Sequence, residues 1–238
     1  MNDHVLDFDL GHPRMRLWPA VDESTVLQIE KQLGLRLPPS YRWWLRQVAG
    51  RANFDIGNCL WLYPLEPEAG SASVITATRM VREWDLCDLK ELVVFGAAGV
   101  DGELWAFYSG ARDLHGELPI LWITPGSMGG APYVLCNTTF ARFLNIQVQY
   151  LLRSDEEPLL TLEEASDPAR VAIGEENDRN AWIELYRRYD PAIAMTTNRL
   201  YDIAVTAPEL RRDAARAACA TMEQRQAEHE GNSREPKK

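Results

Sequence analysis

Leu37-Pro38-Pro39-Ser40-Tyr41-Arg42-Trp43-Trp44-Leu45-Arg46-Gln47-Val48-Ala49-Gly50 is the stretch on which the fold turns. Pro39 suits the first turn of a helix, where its missing N–H would have had no intrahelical acceptor. Tyr41, Trp44, Leu45 and Val48 then recur at i, i+3, i+4 and i+7, which gathers them on one apolar face before Gly50 ends the pattern. Trp43 stands about 200° round from Tyr41 at roughly 100° per residue, so it points away from that face. Two readings of Trp43 stay open: an anchor for a partner, or a residue docked beneath the chain's own C-terminal part.

Working outward, Asp22 is placed to cap a preceding helix that runs to about Leu33, with Val26, Ile29 and Leu33 on one face and Gly34 as its left-handed stop. Downstream, the apolar runs from Cys59 to Tyr63, Leu92 to Phe95 and Leu104 to Tyr108 read as strands. The last two are joined by a turn rich in glycine, at Gly96, Gly99 and Gly102, which predicts a hairpin. A helix from about Ser73 to Trp84 lies between the first strand and the hairpin. Ile120 to Thr124 and Tyr133 to Cys136 continue the sheet. Thr138 is placed to cap a further helix, whose apolar stripe is Phe140, Phe143, Leu144, Val148 and Leu151. These elements predict an α+β fold in which helices pack a mixed sheet.

After Arg153 the pattern is helical throughout. Trp182, Leu185, Tyr186 and Tyr189 form one stripe, Ile193, Thr197, Leu200 and Ala204 a second, and an alanine-rich helix starts near Pro208. Seven of the eight tryptophans precede residue 153, so the two parts are built differently. The predicted organisation is an α+β domain over residues 1–153, an all-helical C-terminal extension over 154–230, and a polar, frayed tail over 231–238.

Thirty-five acidic against 25 basic side chains give a net charge of −10, which disfavours direct nucleic-acid binding because phosphate contacts need clustered Lys and Arg. The acidity is concentrated: residues 155–178 hold nine carboxylates against the single Arg170. A basic partner would be attracted there. Asp155, Glu156, Glu157, Glu163 and Glu164 in that stretch, Asp101 and Glu103 near the hairpin turn, and Trp43 are the candidate partner-binding residues. The alternative for the acidic pairs is a plain solvated face. The first residues carry Asp3, Asp7 and Asp9 with no apolar run, which predicts no secretory signal and a cytoplasmic protein. The uncharged run from Leu118 to Ala141 is interrupted by prolines and glycines, so it reads as two strands and a loop and not as a membrane span.

Chemistry-bearing patterns are sparse. Cys59, Cys87, Cys136 and Cys219 form no CxxC pair, and His4, His12, His115 and His229 stand singly, so neither metal nor cofactor is expected. A phosphate cradle needs a helix after its glycines, whereas Leu104 to Tyr108 is strand-like. Ser127, in Pro125-Gly126-Ser127-Met128-Gly129-Gly130, lacks the spacing of a nucleophile turn, and a hydrolase reading built on it is set aside.

The series from Ile29 through Leu37-Pro38-Pro39-Ser40-Tyr41-Arg42 to Leu45 and Gly50, then Phe95-Gly96 with Gly102, then Phe140 with Phe143-Leu144, resembles the SUKH superfamily over about residues 22–152. The resemblance implies an α+β fold without catalytic residues. In bacteria it also implies frequent service as immunity proteins that bind and block polymorphic toxins, some of them nucleases. A cognate toxin, basic by the charge argument above, is therefore the expected partner. A regulatory or scaffolding protein on the same fold is the alternative. Residues 153–238 lie outside the resemblance.

Overall fold

The computed structural model describes residues 6–54, 60–66, 72–83, 91–98, 103–123, 133–156 and 168–191. Seven strands, β1 (Met15–Trp18), β2 (Arg51–Phe54), β3 (Leu60–Leu62), β4 (Leu92–Ala98), β5 (Glu103–Tyr108), β6 (Ile120–Ile123) and β7 (Tyr133–Asn137), form one sheet in chain order. Each strand is antiparallel to the next, so the sheet is a meander and not mixed, within the α+β class expected. Helices α1 (Glu23–Leu33), α2 (Pro39–Gln47), α3 (Val74–Glu83), α4 (Phe140–Glu156) and α5 (Pro168–Tyr189) pack around it.

Local chemistry sets the helix ends. The Asp22 carboxylate accepts from Thr25 N–H at 2.7 Å, and Gly34 closes α1 at φ 73°, a conformation that costs a residue without Cβ little. Helix α2 has Pro39 at its first position and ends at Gln47, three residues before Gly50. Val48, expected in the core, is half-buried at the end of that helix and packs against the core's edge.

The sheet separates two apolar clusters. On the first face Tyr41 and Trp44 of α2 meet Phe95 and Phe107 of the hairpin and Phe140 and Phe143 of α4. Tyr41 is the centre, with its ring 4.7 Å from Phe140 and 5.1 Å from Phe107. Each such aromatic contributes about 1.5–3 kcal/mol by burial. The second cluster joins Leu92, Val94, Leu104 and Ala106 of the hairpin to Ala77 and Val81 of α3, and includes Leu185 and Tyr186 of α5. Helix α5 also lies along α4, where Trp182 stacks on Tyr150 at 4.1 Å.

Three expectations are corrected. Strands β1 and β2 were not foreseen; each is four residues long and takes its conformation from pairing with a neighbour. Gly96 belongs to β4 and not to the turn: the register shifts between Val94 and Gly96, and a Cβ at Gly96 would lie 2.5 Å from the Trp61 carbonyl oxygen. Glycine is required there by close approach. Finally, α4 is capped by Thr139, whose Oγ1 accepts from Arg142 N–H at 3.4 Å, because Thr138 is committed to Asp190. The second helical stripe, the helix near Pro208 and the tail fall outside the described residues. Among the described residues, no helix is long and apolar enough to cross a membrane.

Candidate functional site

The site begins with the proline pair. Pro38 occupies the N-cap of α2 and offers no side-chain acceptor, so the first N–H groups of that helix need one from elsewhere. Glu117 supplies it from 77 residues away: its carboxylate, only 3% exposed, accepts from Ser40 N–H at 2.7 Å and from Ser40 Oγ at 2.6 Å. This bond holds the turn at 112–117 against the α1–α2 corner. Asp113 shapes the turn, accepting from His115 N–H at 2.9 Å and Glu117 N–H at 2.7 Å. Arg112 closes it, donating to the Gly116 carbonyl at 2.5 Å and to the Arg36 carbonyl at 2.6 Å. Partial burial lowers the pKa of Arg112 from its ordinary value, while Glu117 and Asp113 pull the other way.

A second buried carboxylate fixes the facing wall. Glu30, 7% exposed, accepts from Leu37 N–H at 2.8 Å and from Arg42 Nη1 through both oxygens, at 2.7 and 2.8 Å. Arg42 also pairs with Glu23, which holds Arg46 at 2.9 Å. Between these walls opens a cleft of about 630 Å³. Arg36, Arg42, Arg46 and Arg112 line it with His115; Trp43, Leu37 and Pro39 supply its apolar part. Among the described residues the cleft lining contains no carboxylate, and two of the acids that organise the corner, Glu30 and Glu117, are buried.

Among the described residues, Trp43 is the expected partner-binding residue that lines this cleft, while α5 packs along α4. Glu103 is half-buried at the start of β5. Asp155 and Glu156 fall in the last turn of α4. Asp101, Glu157, Glu163 and Glu164 lie outside the described residues. Sequence reasoning missed Glu30, Glu117, Arg112 and the basic character of the site. The arginines are spread over 36, 42, 46 and 112, so no run betrayed them.

Cys136 is buried, with its thiol pushed up to about 12 by burial, so it holds almost no thiolate near neutral pH. Among the described residues, no group of three or more His, Cys, Asp or Glu is placed to hold a metal ion. Ser127, Cys59, Cys87 and Cys219 lie outside them.

The sequence model of the family described as SMI1 / KNR4 family (SUKH-1) matches residues 20–146, more than half of the chain and the whole of the cleft. The chain therefore belongs to that family. No curated protein matches it.

Proposed function

We propose that this member of the SMI1 / KNR4 family is a non-enzymatic, cytoplasmic immunity protein, which neutralises a cognate toxin by binding it and occluding its active site or substrate path. The observation that carries this reading is the cleft. Two of its arginines are held in a framework of a buried carboxylate and backbone carbonyls, its lining includes four arginines and a tryptophan, and such residues dominate the energetics of protein contacts. Nothing in that framework resembles a nucleophile, base and orienter in sequence. A binding surface of this kind encodes the partner's shape and charge, whatever reaction the partner performs.

Two surfaces of opposite sign are candidates for the contact. One is the basic cleft. The other is the acidic stretch at 155–178, which would speed encounter with a basic toxin.

The test is co-expression with the product of the adjacent gene, followed by affinity capture and a growth assay. The expected result is a stable complex and survival of cells that otherwise succumb. A neighbouring gene whose product neither poisons cells nor co-purifies sinks the immunity reading and leaves a regulatory scaffold in its place.

A further inference from the structure

We infer that the cleft between the α1–α2 corner and the 112–117 turn is a receptor for a short acidic segment of a protein partner, with carboxylates on its arginines and an apolar residue on Trp43. The inference rests on the binding-protein reading above and names the chemistry of the partner at that site. It reverses locally what the net charge of the chain suggests globally.

Summed over the corner, Glu23, Glu30, Asp113 and Glu117 balance Arg36, Arg42, Arg46 and Arg112, so total charge decides nothing. Geometry decides. Glu30 and Glu117 are almost wholly buried and spend their oxygens on Leu37, Arg42 and Ser40. Their oxygens are therefore not offered to an entering group, while Glu23, half-buried and paired with Arg42 and Arg46, and Asp113, exposed on the turn, are not among the described residues that line the cleft. Arginine carries five donors in a planar fork that matches a carboxylate in pairs. Arg112 has committed only Nη1 and Nη2 to carbonyls in the bonds described. It is held rigidly while doing so, which reduces the conformational freedom a ligand would have to quench. Arg36 and Arg46 are exposed, and Arg46 would exchange its 2.9 Å pairing with Glu23 for a ligand carboxylate.

Trp43 adds the second half of the chemistry. Its indole, with Leu37 and Pro39, gives the cleft an apolar surface beside the guanidinium groups. Free phosphate would use the guanidinium groups alone, and nucleic acid would face repulsion from a chain of net charge −10. A peptide alternating acidic and apolar side chains uses both halves.

The experiment is fluorescence anisotropy with a short fluorescein-labelled oligoglutamate peptide carrying one central leucine. Inorganic phosphate and a single-stranded oligonucleotide serve as competitors. The wild-type protein is expected to bind the peptide with an affinity that falls as salt rises. Arg36→Glu/Arg46→Glu should weaken binding at least about tenfold, since both guanidinium groups are replaced by repulsive charge. Arg36→Lys/Arg46→Lys should recover part of it. Arg16→Glu/Arg79→Glu makes the same net-charge change on exposed residues outside the cleft and should leave binding within about twofold.

Equal losses from the two charge-reversed pairs, or no peptide binding by the wild type, overturn the proposal. So does displacement of the peptide by the oligonucleotide or by phosphate at lower concentration than by unlabelled peptide. A dimer of the unliganded protein that only the cleft variant breaks would give the site to the acidic stretch of a second copy, which also overturns it. These outcomes are independent of the immunity reading: toxin captured undiminished by Arg36→Glu/Arg46→Glu sinks the cleft chemistry alone, whereas a wild type that binds the peptide but no toxin sinks the immunity reading alone.

Discussion

Helices α2 and α4 begin in the same way and for different ends. Each opens on a turn whose N–H groups are answered by a buried carboxylate far along the chain: Glu117 for Ser40 at the head of α2, Asp190 for Thr138 just ahead of α4. Glu117 lies inside the family-matched region and fastens a turn that becomes one wall of the cleft. Asp190, wholly buried, follows α5 and lies beyond that region, so its bonds fasten the described part of the extension to the family fold. The same device builds a binding surface in one place and attaches an added helix in the other. A carboxylate at a helix start answers both the orphan N–H groups and the positive end of the macrodipole, which makes it a recurrent solution.

Their surroundings differ. Asp190 accepts from Thr138 N–H at 2.8 Å and from Thr138 Oγ1 at 3.0 Å, but its nearest cation, Arg142, is 3.5 Å away. Burial outweighs these partners and raises its pKa. Glu117 holds two short bonds to Ser40, and Arg112 lies close by.

The largest expected effect follows from that contrast. Glu117→Ala strips the acceptor from a buried N–H and a buried hydroxyl, each bond to a charged group being worth about 1.5–3 kcal/mol, so a loss of about 3–5 kcal/mol is expected in a urea melt. Binding of the oligoglutamate peptide should fall as well, because the 112–117 turn loses its hold. A loss below about 1 kcal/mol would show that Ser40 finds another acceptor.

Asp190→Ala should cost less, about 1–3 kcal/mol, because part of what its bonds contribute is offset by the penalty of a buried charge. The sign of the pH dependence sharpens the point. A carboxyl whose folded pKa is raised binds its proton more tightly in the native state than in the unfolded one. Its contribution is therefore greatest below the unfolded value near 3.8 and declines as pH rises through the interval up to the folded value. Asp190→Asn removes that decline. The stability of wild type minus that of Asp190→Asn should thus shrink as pH is raised from about 4 towards 7. A difference that grows over the same range would mean that the hydrogen bonds to Asp190 outweigh its burial.

The comparison also marks where sequence stops being informative. Gly34, Pro39 and the Phe140–Leu151 stripe were legible because their causes are local: a positive φ, a missing N–H, a 3.6-residue period. So were β3 to β7, whose runs of apolar residues are bounded by turns or prolines. Met15–Trp18 and Arg51–Phe54 were not, since four residues give too few alternations to show a period of two. Glu117 and Asp190 were opaque for a stronger reason. A lone acid in a loop acquires its role from residues 77 and 52 positions away, and nothing in its own neighbourhood differs from that of a solvated carboxylate. The cleft inherits the same opacity, for its charge is assembled from four separated arginines. Trp43 alone was visible, as the aromatic on the wrong side of an amphipathic helix.

The smallest effect concerns the residue at the centre of the first face. Tyr41 is 1% exposed among Phe95, Phe107 and Phe140, and burial raises its pKa well above the usual phenol range. Its hydroxyl finds no hydrogen-bond partner among the described residues, in contrast to the paired oxygens of Glu117 and Asp190. An orphaned buried hydroxyl costs about 1–3 kcal/mol in desolvation, and replacing it with hydrogen relieves that cost while leaving the ring contacts in place. Tyr41→Phe should therefore leave stability unchanged or raise it by up to about 1 kcal/mol, read from paired denaturant melts. The same variant should bind the oligoglutamate peptide as the wild type does, because Tyr41 faces the sheet and does not line the cleft. A loss of more than about 1 kcal/mol would mean that the hydroxyl is satisfied after all, and would make Tyr41 a third long-range polar tie beside the two carboxylates.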